Sequence, residues 1–284
     1  MSDQEIRFFL SLFAFFSTMF GACVGSFLNV CIYRVPRGES VVTPRSHCPH
    51  CNALIPWYLN IPVLSWLALR GKCANCKGPI SFRYTLVELL TALLFLAVFM
   101  KWALPAVCHV SPIANAAAVP CYWLMLAGFI VGTFVDFEHY IIPDSVTIGG
   151  MVAGLVLSGL VPSLHNETVW YWGLAESATG MAGGFALLWA ISWLGEKVFK
   201  KEAMGFGDVK LMGAIGAFMG WQSVLFTLFV SSLLGSISGI LLITLGRGKL
   251  QSRIPFGPYL AAAATIWLFW GPILMNSYLK LISR

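Results

Sequence analysis

The stretch Val135-Asp136-Phe137-Glu138-His139-Tyr140-Ile141-Ile142-Pro143-Asp144 closes one apolar run, 121–136, and opens another, 145–162. Apolar runs of roughly 17 to 25 residues are long enough to cross a bilayer as helices. Working outward, further runs lie at about 8–32, 85–104, 177–195, 208–222, 224–245 and 257–279. The expected fold is therefore an all-α polytopic membrane protein with about eight transmembrane helices. Composition agrees. With 58% apolar and 11% charged residues and a mean hydropathy of +0.79, a soluble chain of 284 residues would have more hydrophobic surface than it could hide. The first run begins with Asp3 and Glu5 and continues through Cys31-Ile32-Tyr33 without a small-residue cleavage site, so it reads as a retained helix rather than a signal peptide.

The net charge of +6 does not point to nucleic acid, because the basic residues are distributed as membrane loops require. Seven of the eighteen Lys and Arg lie between spans one and two: Arg34, Arg37, Arg45, Arg70, Lys72, Lys77 and Arg83. Further groups occur at Lys197, Lys200 and Lys201 and at Arg247, Lys249 and Arg253. With eight spans these loops share one side, which the positive-inside rule makes cytoplasmic. The intervening loops 105–120 and 163–176 carry no Lys or Arg.

The polar stretch after span one reads as a small cytoplasmic domain. The expected division is 1–33 as the first transmembrane helix, 34–84 as this domain, and 85–284 as a transmembrane bundle. Cys48-Pro49-His50-Cys51 and Cys73-Ala74-Asn75-Cys76 place four thiols at the spacing of a closed structural zinc site. A redox pair or disulfides compete with this reading, but a cytoplasmic loop is reducing and no thioredoxin-like pattern surrounds the cysteines. Cys23 and Cys31 read as buried small apolar side chains. Cys108 and Cys121 flank an outer loop, where a disulfide and two free thiols are equally compatible with the sequence. Gly21 and Gly25, and Gly235 and Gly239 with nearby serines, form small faces that suit close helix packing. No Walker loop and no dinucleotide fingerprint is present.

Two acids remain at membrane depth, Asp136 and Asp208, where carboxylates usually mark function. Asp144 and Asp208 each also suit a helix N-cap. Asp136 does not, because it falls at a helix C-terminus, where the macrodipole disfavours an anion. Two aspartates meeting in a partly desolvated place hold one proton between them, so one can activate water while the other protonates a scissile carbonyl. Gly205 and Gly207, before Asp208, leave room for an extended substrate backbone. A proton-coupled transporter would also place acids in its helices, but would show repeated halves with paired broken helices. A noncatalytic zinc-containing assembly factor would leave Asp136 unexplained.

Taken together, several motifs make the chain resemble the type IV prepilin peptidases, bifunctional membrane enzymes of the Gly-x-Gly-Asp aspartic protease class. These are Gly25-Ser26-Phe27-Leu28-Asn29-Val30, Tyr33-Arg34-Val35-Pro36, the paired cysteine motifs, Pro79-Ile80-Ser81-Phe82-Arg83-Tyr84 with Val87-Glu88, Asp136 to Asp144, Gly205 to Asp208, and Pro255-Phe256-Gly257-Pro258. The resemblance implies that Asp136 and Asp208 are the catalytic aspartates. It also implies cleavage of a short basic leader from prepilins or pseudopilins at the cytoplasmic face of the bacterial inner membrane. The new N-terminal residue would then be methylated with S-adenosylmethionine. It assigns the four cysteines to the domain that accompanies methyl transfer. Glu88 is a candidate contributor to that step, the alternative being an ion pair with Arg83 or another base of the loop.

Overall fold

A computed structural model describes residues 3–103, 114–200, 204–245 and 254–282, and every described element is helical apart from two isolated bridges. Six described helices are long and apolar enough to cross a membrane, and a seventh, Asp144–Leu160, is shorter but equally apolar. The chain is a multi-pass membrane protein. Its many exposed large apolar side chains, among them Phe8, Phe13, Phe16, Trp193 and Phe229, would be a liability in water and suit a lipid surface. The chain divides into two compact units, Met1–Val131 and Gly132–Arg284.

In the first unit, α1 (Asp3–Arg34) packs against α3 (Phe82–Val98), which continues through a π-helical turn, Phe99–Ala103. The contact is close because α1 presents glycine there. A Cβ on Gly21 would lie 2.9 Å from the Ala92 Cα, and one on Gly25 would lie 2.7 Å from the Glu88 Cα. The small face read from Gly21 and Gly25 is thus a packing seam. Gly235 and Gly239 differ, since added Cβ atoms there would meet nothing nearer than 3.7 and 3.5 Å. In α3, Phe95 stacks on Trp123 with ring centroids 4.8 Å apart, and the Trp123 indole N–H donates to the Phe95 carbonyl. Trp123 belongs to α4 (Ala114–His139), whose last turns carry Asp136. Between α1 and α3 lies the cysteine-bearing segment, with one short α-helix, α2 (Leu64–Ala68), and 3-10 turns at Val35–Arg37 and Trp57–Asn60. Arg34, buried at the end of α1, donates to the carbonyls of Ser40 and Pro44 and so folds the first loop back onto its helix.

The second unit contains α5 (Asp144–Leu160), α6 (Trp170–Phe199), α7 (Phe206–Thr244) and α8 (Gly257–Ile282). The expected spans 208–222 and 224–245 both fall within α7, whose 39 residues are interrupted only at Gly220, with φ 75° and ψ 175°. That residue turns the chain back on itself. A Cβ on Gly216 would lie 3.0 Å from Cγ2 of Val224, whereas eight residues of continuous helix would separate them by about 12 Å. The eight apolar spans therefore correspond to eight helical limbs. Breaking the ladder at Gly220 also frees the Ala217 carbonyl, which instead accepts the hydroxyls of Ser177, at 2.7 Å, and Ser158, at 3.4 Å. Ser158 is in turn hydrogen-bonded to His165.

The closest glycine contacts of this unit involve Gly180 and Gly184, which stand at the same four-residue spacing as Gly21 and Gly25. An added Cβ on Gly180 of α6 would overlap the Gly216 carbonyl oxygen, and one on Gly184 would lie 2.6 Å from the Met212 carbonyl oxygen. Here α6 and the first limb of α7 touch backbone to backbone. The connection before α6 is also shorter than expected. Pro162–His165 forms a 3-10 turn and α6 begins at Trp170 rather than near 177, because the aromatic run Trp170-Tyr171-Trp172 starts the helix.

Candidate aspartate site and cysteine metal centre

Asp136 lies in the last turn of α4, which ends when Tyr140 takes a left-handed conformation, φ 55°, while its N–H still reaches the Asp136 carbonyl at 3.0 Å. The side chain is buried, and Oδ2 accepts the backbone N–H of Gly257 at 3.0 Å. Only glycine fits at that position, since a Cβ there would stand 2.7 Å from Oδ2 and 2.9 Å from Ile142 Cδ1. Asp208 is also buried and sits in the first turn of α7, where the helix dipole suits an anion. Ile142 lies between the segments that carry the two acids, against Gly257, whose N–H holds Asp136, and within 3.3 Å of a Cβ built on Gly207, next to Asp208. The carboxyl groups are near enough for the charge of Asp136 to act on Asp208. The structure thus brings Asp136, Asp208, Gly205 and Gly207 together within one unit. Gly257 completes the set, and its signal, Pro255-Phe256-Gly257-Pro258, is visible as a motif but not as a partner of Asp136.

Two N-cap readings need correction. The cap of α7 is Gly205, which leaves Asp208 three residues inside, and the cap of α5 is Pro143, with no side-chain capping bond. Asp144 is the first residue of α5 rather than its cap. It is exposed and pairs with Lys210 at 2.7 Å. Proline at the capping position fixes an extended backbone there and hands the acid to the first helical turn, where it still complements the dipole. Neither Gly205 nor Gly207 has a positive φ; close approach to Ile142 accounts for Gly207, whereas a Cβ at Gly205 would make only an ordinary contact. A Cβ at Gly205 would meet Asp208 Oδ2 at 3.4 Å.

The cysteine segment is built twice. The Cys48 N–H donates to Ala53 O and the Asn52 N–H to Cys48 O; the Cys73 N–H donates to Gly78 O and the Lys77 N–H to Cys73 O. Ile55 to Ser46 and Ile80 to Gly71 close each turn, and the bridges His47 to Leu54 and Lys72 to Pro79 match as well. Asn52 and Lys77, each following the second cysteine of its pair, both take a left-handed conformation, φ 55° and 59°. The result is two copies of one knuckle facing each other. Their four sulfur atoms all lie within 4.8 Å of one another, a gap that fits one metal ion. Backbone N–H groups of Cys76 and Asn75 pointing at Cys73 pull its thiol down to about 6, and the Ala53 N–H with the Asn75 amide also lowers Cys51, while the neighbouring sulfurs hold the Cys76 thiol up at about 11, so the cluster ionises in steps. Thiolate ligands are favoured by such donors. His50 packs its ring on Gly78, within 2.9 Å of a Cβ built there, and stands beside the sulfur cluster rather than in it. Cys108 lies outside the described residues, as do Lys201, Arg247, Lys249 and Arg253.

Glu88 lies in α3, buried to 9% exposure, and its Oε2 accepts the Val63 N–H at 2.7 Å. The carboxylate is therefore tied to the backbone that leads into α2.

Two family models cover most of the chain. The Bacterial Peptidase A24 N-terminal domain matches residues 19–102, and the Type IV leader peptidase family matches residues 123–240. A prepilin leader peptidase/N-methyltransferase of Aeromonas hydrophila is 38% identical over 285 aligned residues, covering 92% of both chains. The chain belongs to the type IV prepilin leader peptidase/N-methyltransferase family. Relatives carrying the same description occur in Myxococcus xanthus, 41% identical over 87% of this chain and 68% of the relative, and in Pseudomonas aeruginosa, 34% identical over 94% of both. No solved structure matches. The two family models divide the sites between them: the cysteine centre and Glu88 fall in the first match, Asp136 and Asp208 in the second.

Proposed function

We propose that the chain cleaves the leader of type IV prepilins or pseudopilins with Asp136 and Asp208, and then methylates the new N-terminal amine. The observation that carries the peptidase half is that two aspartates are both buried, on segments whose glycines Gly207 and Gly257 both lie against Ile142, and that one of them is clamped by the Gly257 N–H. The pair shares one proton. The ionised member takes a proton from a water whose oxygen attacks the scissile carbonyl carbon, and the protonated member donates to the carbonyl oxygen. Collapse of the tetrahedral adduct breaks the C–N bond, and the leaving nitrogen takes up the proton the first aspartate had accepted. Gly257 fixes Asp136 Oδ2, so Oδ1 is the oxygen that addresses water. The basic loops of the sequence favour the cytoplasmic side for this chemistry, where a short basic leader would remain.

The cysteine centre suits zinc. Tetrahedral Zn–S bonds of about 2.3 Å put sulfurs about 3.8 Å apart, and Cys48 Sγ and Cys76 Sγ are separated by 3.8 Å. With Cys48, Cys51, Cys73 and Cys76 all serving as ligands, the ion is structural, and it joins two knuckles that have little core of their own. S-adenosylmethionine supplies an electrophilic methyl group when bound. The new N-terminal amine would accept that methyl group and give up one proton. Glu88 serves this second step.

The test is a cleavage assay on a prepilin in liposomes, with Asp136→Asn and Asp208→Asn proteins that retain wild-type thermal stability. Each should lose cleavage. Wild-type rates in either variant would sink the dyad.

A further inference from the structure

A cavity of about 610 Å³ opens within the first unit, walled by α1, by α3 and by the segment that carries the cysteines. Cavities of roughly 300 to 1,000 Å³ with a few convergent polar groups are the usual size and character of small-molecule sites. Its walls are unusual in their polar accounting. Asn29, Ser65 and Thr85 all line it, and the atoms Asn29 Oδ1, Ser65 Oγ and Thr85 Oγ1 have no hydrogen-bond partner among the described residues. Asn29 and Thr85 are more than nine-tenths buried, at 4% and 5% exposure. Buried polar atoms are nearly always satisfied, so two or three orphans on the wall of one cavity point to a ligand that satisfies them.

The orientation of Asn29 is fixed. Its amide nitrogen donates to the carbonyls of Tyr84, at 2.9 Å, and Gly25, at 3.3 Å, so Oδ1 is held as an unmet acceptor. Glu88 lines the same cavity, with Oε2 bonded to Val63 N–H. Arg34 also lines it, but its guanidinium is committed to the carbonyls of Ser40 and Pro44. The site therefore offers an amide oxygen, hydroxyls, the imidazoles of His47 and His50 and two carboxylates, Glu39 and Glu88, and its one arginine is spent. With two carboxylates and no uncommitted guanidinium, that balance favours a cationic ligand over a phosphate, while Trp66 and Tyr84 supply flat apolar surface for a ring.

We propose that this cavity is the methyl-donor site, in which Glu88 faces the sulfonium of S-adenosylmethionine and Asn29 and Thr85 meet the polar edge of its nucleoside. The assignment rests on the methyl-transfer reading above. It carries a consequence that activity alone would not reveal. The donor is a sulfonium cation and the product, S-adenosylhomocysteine, is a neutral thioether at the same atom. A carboxylate in a partly desolvated cavity separates the two, holding the donor and releasing the product.

The experiment is direct binding of each compound to the full-length protein in detergent, by equilibrium dialysis, with prepilin cleavage and zinc content measured on the same samples to show that each variant is folded. Glu88→Gln should weaken S-adenosylmethionine by about tenfold or more and S-adenosylhomocysteine by less than about threefold, since only the charge contrast is removed. Asn29→Leu and Thr85→Val should weaken both by similar factors, because the groups they lose serve the part common to both. Equal weakening of both compounds by Glu88→Gln would overturn its role at the sulfonium. If all three variants bind both compounds as the wild type does while that protein still methylates cleaved pilin, the cavity assignment fails and the methyl-transfer reading stands. If the wild type transfers no methyl group at all, the reading itself fails and takes the cavity with it.

Discussion

The two units hold reactive groups in place by opposite means. In the second, Asp136 and Asp208 are positioned by backbone: helix ends, a left-handed Tyr140, and Gly207 and Gly257 pressed against Ile142. In the first, a polar segment that has one five-residue α-helix is closed on itself through four sulfurs, and it leaves a cavity with unmet polar atoms. Peptide hydrolysis needs two carboxyl groups at fixed separation and supplies its other reactant from solvent. A methyl donor is a sizeable molecule that must enter and leave. Rigid helix ends suit the first task, and a small domain gathered around four cysteines suits the second.

The contrast breaks most sharply at the acids. Asp136→Asn and Asp208→Asn should each lower cleavage on the order of 10²–10⁴-fold, the usual span for a general acid or base, while zinc content and methylation of an already cleaved pilin stay unchanged. Mass spectrometry of the product reads both steps at once, and a methylation loss matching the cleavage loss would deny the separation. The next largest effect belongs to the metal. Purified protein should carry about one zinc per chain, and Cys51→Ser or Cys76→Ser should release it and depress methylation far more than cleavage. Elemental analysis finding no metal in reduced, wild-type protein would remove the centre from the account.

A purely mechanical change sharpens the comparison. Gly180→Val forces a side chain onto the Gly216 carbonyl, and should destabilise the second unit by about 1–3 kcal/mol, the range for overpacking. Cleavage in a thermal-inactivation series should fall before donor binding does. The smallest effect is expected at Ser177→Ala, which removes one hydroxyl from the Ala217 carbonyl but leaves Ser158 on it, and should cost about 1 kcal/mol. A stability loss as large as that of Gly180→Val would mean that the hydroxyl, and not the close glycine contact, holds the limbs together.

Much of this is legible in the sequence, for identifiable reasons. Apolar runs report span positions because the bilayer tolerates little else, and the cysteine spacing reports a metal centre because ligand geometry is strict. Asp136 stands out because it opposes a helix dipole. What stays hidden are relations between distant segments. Nothing local in Gly257 says that its N–H clamps Asp136, and nothing in Gly180 distinguishes it from Gly235, yet one meets a carbonyl and the other meets little. The caps of α5 and α7 fall elsewhere than expected because Asp144 and Asp208 suit the first turn as well as the cap, so composition alone does not fix the register.

The turn at Gly220 settles a question of reach. As one straight rod, α7 would run about 58 Å at 1.5 Å per residue, close to twice the apolar depth of a bilayer. Twelve residues separate Thr244 from Gly257, and even fully extended they span only about 42 Å. A straight α7 would leave its far end out of range, and the Gly257 N–H could never return to Asp136. By doubling back, the helix delivers residue 244 to the end where Asp208 began. The carboxyl pair thus owes its third member to a single left-handed glycine at the opposite end of the same helix, one crossing away.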